Sequence, residues 1–200
     1  MTDFYSNSLI FALLSFVIAT AFTPGPNNFL LLVSGIKFGL KKTLGHILGI
    51  AIGFPIMLII IGILFNKILF INSTFFTILS IIGAIYLLYL CYQIIFSDFI
   101  FKEKETSKPI TFLEALLFQW VNPKAWIMAL SIATTYLTTK NFYYELIFIA
   151  FIFFIVAIFS SITWTLFGKA IKNTINIKLA NVILGILLII SVIQMFPEKF

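Results

Sequence analysis

Thr23-Pro24-Gly25-Pro26-Asn27-Asn28 and Gln119-Trp120-Val121-Asn122-Pro123-Lys124 are the two stretches whose reading decides the fold. Each interrupts a long apolar run. A proline inside a helix removes a backbone hydrogen bond and clashes with the preceding turn. In hydrocarbon, the polar groups freed by such a break must find partners in protein or in a water-lined cavity. The two stretches therefore predict two broken helices, each with polar groups that need an interior to face.

Composition says what surrounds them. The chain has 200 residues, of which 62% are hydrophobic and 10% charged, against about 25% charged in a typical soluble domain. The net charge of +6 comes from thirteen Lys and no Arg. No long basic run or soluble segment is present to hold a duplex, so the excess reads as membrane orientation and not as nucleic-acid binding. The single Cys91 excludes an internal disulfide and a Cys-x-x-Cys redox pair within the chain. One His, one Cys and no acid pair within a span leave no constellation for a membrane enzyme, and no metal or cofactor is expected.

Six apolar stretches follow, at roughly Leu9–Val33, Leu44–Phe65, Phe75–Phe96, Ile110–Leu137, Leu146–Phe167 and Leu179–Phe196. Each meets or nearly meets the ~20 residues that cross about 30 Å of hydrocarbon. None shows a clear polar face, as expected of helices surrounded by lipid and other helices. The first is not read as a cleavable signal, because it is preceded by Asp3 and no basic region. Loops 1–2, 3–4 and 5–6 carry nine lysines (Lys37, Lys41, Lys42, Lys102, Lys104, Lys108, Lys169, Lys172, Lys178) against three on the other side (Lys67, Lys140, Lys199). The positive-inside rule then puts both termini outside the cytoplasm of an inner-membrane, multi-pass protein.

The predicted fold class is an all-α membrane protein of six transmembrane helices. It forms one unit over 1–200: a first repeat at about 1–96, a cytoplasmic linker at 97–109 and a second repeat at about 110–200. Three helices per half make the second repeat enter the membrane inverted. Asn27 precedes Asn122 by 95 positions and Pro26 precedes Pro123 by 97, which places both breaks near mid-membrane in helices 1 and 4. Paired interruptions in corresponding halves mark the binding site of many secondary transporters.

In the first break, Thr23 is expected as the N-cap of the half-helix that follows, with Pro24 or Pro26 in its first turn. Gly25 allows close approach, and free N–H groups at a half-helix start suit a carboxylate. Asn27 and Asn28 offer amide donors and acceptors to both ends of a zwitterion. Gln119 and Asn122 share a face of helix 4. Lys124 lies about 15–20 Å from either helix end, too deep for its stem to carry the charge to the interface, so a partner is expected. All seven acids lie at helix ends, loops or termini. Two partners stay open: a substrate carboxylate, or backbone carbonyls freed by Pro123. The absence of an acid at mid-depth of the membrane favours a neutral zwitterion over a cationic side chain. It leaves His46, Lys124 and the substrate amine as candidates for coupling, with His46 also readable as an interfacial capping or packing residue. Gly45, Gly49 and Gly53 read as helix packing, Gly35 and Gly39 as flanking a tight turn. Ser131, Thr134, Thr135, Ser160, Ser161 and Thr163 are further candidates to line a cavity. The 25 phenylalanines read as bulk.

The chain resembles the LysE-type amino-acid exporters, the group that includes the lysine exporter and the homoserine/threonine resistance proteins. The resemblance is carried by Thr23–Asn28, Ser34-Gly35, Phe38-Gly39, Gly45-His46, Leu48-Gly49-Ile50, Gly53-Phe54 and Phe118–Trp126, and it spans essentially the whole chain. The Pro-Asn-Asn form with Phe-Gln-Trp-Val-Asn-Pro-Lys is similar to the branch often linked to cysteine and O-acetylserine efflux. The resemblance implies export of small amino acids from the cytoplasm, driven by the proton or membrane potential without ATP. The alternative is a passive channel for amino acids or small solutes, which would need a polar ring completed by a homo-oligomer. The expected partners are a small amino-acid substrate and the lipid bilayer.

Overall fold

The proline breaks divide the chain where their chemistry requires. A computed structural model describes residues 7–67, 108–138 and 140–171, with isolated positions at Ile81, Ile85, Leu88, Tyr89, Tyr92, Ile186 and Ile189. Helix α1 (Asn7–Phe22) stops before Thr23-Pro24-Gly25, and α2 (Pro26–Lys67) begins with Pro26 in its first position. Helix α3 (Phe112–Phe118) runs into a 3-10 turn (Gln119–Val121), and α4 (Pro123–Thr135) starts afresh from Asn122. Helix α5 (Phe142–Ile171) is unbroken. All regular structure among the described residues is helical. Apart from those isolated positions, the expected helices 3 and 6 lie outside the described residues, as do Cys91, both termini and most of the 97–109 linker.

The expected loop between helices 1 and 2 gives way to a pivot of one residue. Helix α2 runs through Lys37, Lys41 and Lys42 with a kink at Gly39, which has φ 72° and ψ 175°. That region of backbone space is open essentially to glycine alone. The pivot is held from both sides. The Thr43 hydroxyl donates to the Gly39 carbonyl (2.8 Å). Having spent its one proton, it accepts from the Ser34 hydroxyl (2.8 Å).

Gly35 does not flank the turn. It lies where α2 crosses α5, and a Cβ added there would stand 2.0 Å from the Thr165 carbonyl oxygen. Gly168 reciprocates from α5, where an added Cβ would stand 2.1 Å from the Leu32 carbonyl oxygen. One turn of each helix thus lies backbone to backbone, the close approach that small residues permit between membrane helices. Gly49 and Gly53 do the same against α3: an added Cβ would stand 2.4 Å from the Phe112 carbonyl oxygen at Gly49, 2.9 Å from Leu116 Cα at Gly53 and 3.4 Å from the Phe112 nitrogen at Gly45. Helix α3 is capped by the reciprocal Thr111–Glu114 box, a Thr-x-x-Glu signature present in the sequence.

Phe54, Met57 and Leu58 of α2 meet Ala125, Ala129 and Ile132 of α4 and Leu146, Ile149 and Phe153 of α5 in the main core. The outward residues are no more polar: Phe11 and Ile18 on α1, and Ile147, Phe151 and Phe159 on α5, are exposed. Residues 26–64 and Phe142–Ile171 are each long and apolar enough to cross a membrane. An exterior of this kind suits lipid and not water.

Candidate functional site

The two breaks meet. Asn27 Nδ2 donates to Gln119 Oε1 (2.9 Å), and Gln119 Nε2 returns a longer bond to Asn27 Oδ1 (3.4 Å). Gln119 also donates to the Ala115 carbonyl one turn back (2.8 Å). Lys124 Nζ donates to the Thr23 carbonyl (2.9 Å), the Thr23 hydroxyl (2.9 Å) and the Pro24 carbonyl (3.2 Å).

The expectation for Lys124 is thereby corrected in one respect. Carbonyls do hold it, but they belong to the first break and not to the turn freed by Pro123. Helix α1 ends at this point, so its last carbonyls carry the partial negative end of the helix dipole, where a cation is stabilised. No carboxylate is required for the ammonium to be partnered. Thr23 is corrected as well. It does not cap α2, whose first backbone bond runs from Phe29 N to the Gly25 carbonyl (2.9 Å). Its hydroxyl bonds back to the Thr20 carbonyl (3.1 Å) and receives Lys124. Thr23 therefore closes the end of α1.

The other freed groups are satisfied locally. Asn28 Nδ2 donates to the Ala21 (2.7 Å) and Thr23 (2.8 Å) carbonyls, and the Ser160 hydroxyl of α5 also reaches the Ala21 carbonyl (2.7 Å). In the second break, Asn122 is the N-cap of α4 and accepts from the Lys124 backbone N–H (3.1 Å), with Pro123 behind it. The Trp120 carbonyl receives the Trp126 indole N–H (2.9 Å). Each unmade bond here would cost about 1–3 kcal/mol, which is why both breaks are tied so fully.

Beside them lies a cavity of about 60 Å³. At about 15 Å³ per water, it holds a few waters or the like volume of a small solute. Of the sequence-predicted residues, Gly25, Asn27, Asn28, Gln119, Asn122 and Lys124 line it. Thr23, Pro24, Pro26 and Pro123 shape the breaks without lining it. Gly25 is needed for this arrangement: a Cβ there would stand 2.8 Å from Lys124 Cδ and 3.1 Å from Nζ.

Among the weaker candidates, Ser160 and Ser161 line the cavity. Thr134 and Thr163 bond only carbonyls of their own helices. Phe54 and Phe153, set aside with the other phenylalanines as bulk, form part of the wall, with ring centroids 4.7 Å apart and planes at 59°. No signal in the sequence separates them from the remaining Phe, because every face of these helices is apolar.

His46 is buried one turn before the lining residue Ile50, and its Nδ1 has no hydrogen-bond partner among the described residues. It packs inside the protein, and its burial leaves both the packing and the coupling reading of this residue in place. The two acids among the described residues, Glu114 in its capping box and Glu145 bonded by Thr138, do not line the cavity.

Two broken helices joined across a small cavity, with amides and one cation on one part of the wall and aromatic rings on another, define a solute-handling membrane protein. The chain belongs to the LysE type translocator family, whose model matches residues 18–195. It is a translocator and not an enzyme. It is 34% identical over 134 residues to the cysteine/O-acetylserine efflux protein of Klebsiella pneumoniae, covering 64% of this chain and 65% of that one. It is 27% identical over 192 residues to the protein so named in Salmonella paratyphi A, covering 94% and 97%. The protein of that name in Escherichia coli O139:H28 is 27% identical over 196 residues, covering 94% and 98%. No solved structure matches the chain.

Proposed function

We propose that this protein is a secondary-active exporter of small neutral amino acids or their derivatives from the cytoplasm. The observation that carries the reading is the junction of the two breaks, where Asn27 and Lys124 bind groups about a hundred positions away beside a cavity without acids. The substrate's carboxylate takes Lys124 from the Thr23 and Pro24 oxygens, and its amine and remaining oxygens take over the amides of Asn27, Asn28, Gln119 and Asn122. Cysteine and O-acetylserine, named for the relatives, are both small zwitterions with uncharged side chains, and such molecules suit this set of groups. The architecture that goes with the reading is six spans in two inverted repeats, with His46 and Lys124 as the groups available for coupling to the proton or the membrane potential.

Reconstituted vesicles test it. Labelled cysteine should show saturable counterflow, and uptake into inverted vesicles should collapse with an uncoupler and survive removal of ATP. Flux that rises linearly with concentration and shows no counterflow would favour a channel. Transport restored by ATP with no gradient present would overturn the coupling.

The orientation follows from the nine-to-three lysine split, with both termini outside and 97–109 facing the cytosol. With Cys91 replaced by Ser, an impermeant maleimide added from outside should label a cysteine placed after Phe200 and not one placed at Ser107. The opposite pattern would reverse the topology.

A further inference from the structure

The cavity has two ends of different chemistry, and the helices that wall it give the direction between them. Along α5, Phe153, Ala157, Ser160 and Ser161 recur at spacings of four, three and one, which keeps them on one face. The polar end of that face is fixed at the first break by the bond from Ser160 to the Ala21 carbonyl. Phe153 therefore lies about 10 Å further along the helix, at 1.5 Å per residue. Helix α4 runs the same course from polar to apolar: Lys124 lies at its start, and Met128, one turn on, lines the wall about 6 Å away. Phe54 reaches the same region from α2 and is packed on Phe153, both rings being buried.

A zwitterion whose carboxylate rests on Lys124 has one direction left for its side chain, away from the breaks and toward these rings. We propose that the Phe54–Phe153 pair, with Ala157 beside it, is the gauge that limits the length of the transported amino acid's side chain. The inference rests on the exporter reading and adds the residues that set substrate size. The side chain it admits is short and uncharged, cysteine's and not the acetoxymethyl group of O-acetylserine, which is as long as norleucine's, because the packed rings leave little length and the region offers rings, a thioether and a methyl group and no ionised partner. The rings are held against each other and by the core behind them, so a longer side chain has to displace packed atoms. Lys124 and the amides bind what all α-amino acids share and therefore leave length to the rings.

The test is a competition series in reconstituted vesicles. Counterflow of labelled cysteine is measured against unlabelled alanine, 2-aminobutyrate, norvaline and norleucine for the wild type, Phe153→Ala and Ala157→Val. In an apolar pocket, one methylene changes discrimination by about 10–200-fold. Phe153→Ala should therefore improve inhibition by norleucine about tenfold or more relative to alanine, and Ala157→Val should weaken inhibition by norvaline while alanine is retained. The two changes act in opposite senses, so a general loss of activity cannot imitate them, and Ala157→Val decides alone if Phe153→Ala does not reach the membrane. An unchanged ranking in variants that still exchange cysteine would overturn the gauge and leave the exporter reading intact. Absence of counterflow in the wild type for every amino acid would overturn the exporter reading itself, and the gauge with it.

Discussion

Lys124→Met should lower export about 10–100-fold while the protein still accumulates in the membrane. A charge-assisted hydrogen bond contributes about 1.5–3 kcal/mol, and 1.4 kcal/mol is about tenfold in an equilibrium, so losing the cation from the carboxylate's position gives that range. The substitution also leaves the Pro24 carbonyl without its Lys124 donor, whereas the Thr23 carbonyl keeps Asn28. Some loss of stability, about 1–3 kcal/mol, is therefore expected as well. Gly25→Ala separates the two effects. Its new Cβ would meet the far end of the Lys124 side chain at 2.8 Å and no backbone within 4 Å among the nearest atoms. The chain can fold around it by moving the ammonium, so transport should suffer more than the melting temperature does. Export measured per folded molecule, after size-exclusion chromatography, checks both variants. A Lys124→Met protein that exports at the normal rate would make Lys124 a strut between the breaks and remove it from the substrate site.

Gly35→Ala and Gly168→Ala should be the most damaging single methyl additions among the described glycines. The obstacle at each is a backbone carbonyl oxygen of the other helix, at 2.0 and 2.1 Å from the added Cβ, and backbone in a helix cannot rotate aside. Overpacking of a well-filled interior costs about 1–3 kcal/mol, and here the α2–α5 crossing has to open along its length, so the upper end is expected. Gly62→Ala is the matched control. Its nearest neighbour is the tip of Leu146, at 2.8 Å, and a leucine tip can change rotamer. Gly39→Ala fails for another reason: nothing lies within 4 Å of its Cβ, but the backbone stands at φ 72°, a conformation that costs a residue with a Cβ about 1–3 kcal/mol. Melting in detergent should rank Gly62→Ala near the wild type, Gly39→Ala lower, and the two crossing variants lowest. Gly35→Ala melting with the wild type would mean that the two backbones are not in contact.

Local chemistry is what could be read from the chain. Proline lacks an N–H whatever surrounds it, so Pro24, Pro26 and Pro123 announced both breaks. Glycines four apart on α2 announced a surface for another helix. The census of acids gave the expectation that Lys124 would lack a carboxylate partner, and among the described residues its ammonium is held by the oxygens of Thr23 and Pro24. These are properties of single residues and short spacings, and tertiary contacts do not alter them.

Partnership was decided only in three dimensions. Every residue carries a carbonyl, so nothing in the sequence could select those of Thr23 and Pro24 as the acceptors for a lysine a hundred positions later. The Asn27–Gln119 pair spans 92 positions and depends on how the two broken helices approach. Gly39, read as one flank of a turn, is the whole turn, and Gly35 belongs to a helix crossing. The first is settled by the backbone of α2 itself and the second by where α5 lies. Phe54 and Phe153 were indistinguishable from the other phenylalanines because the pattern that normally reveals a buried face, apolar against polar, vanishes when lipid and core are equally apolar. In such a chain the sequence locates the breaks, and packing decides what faces them.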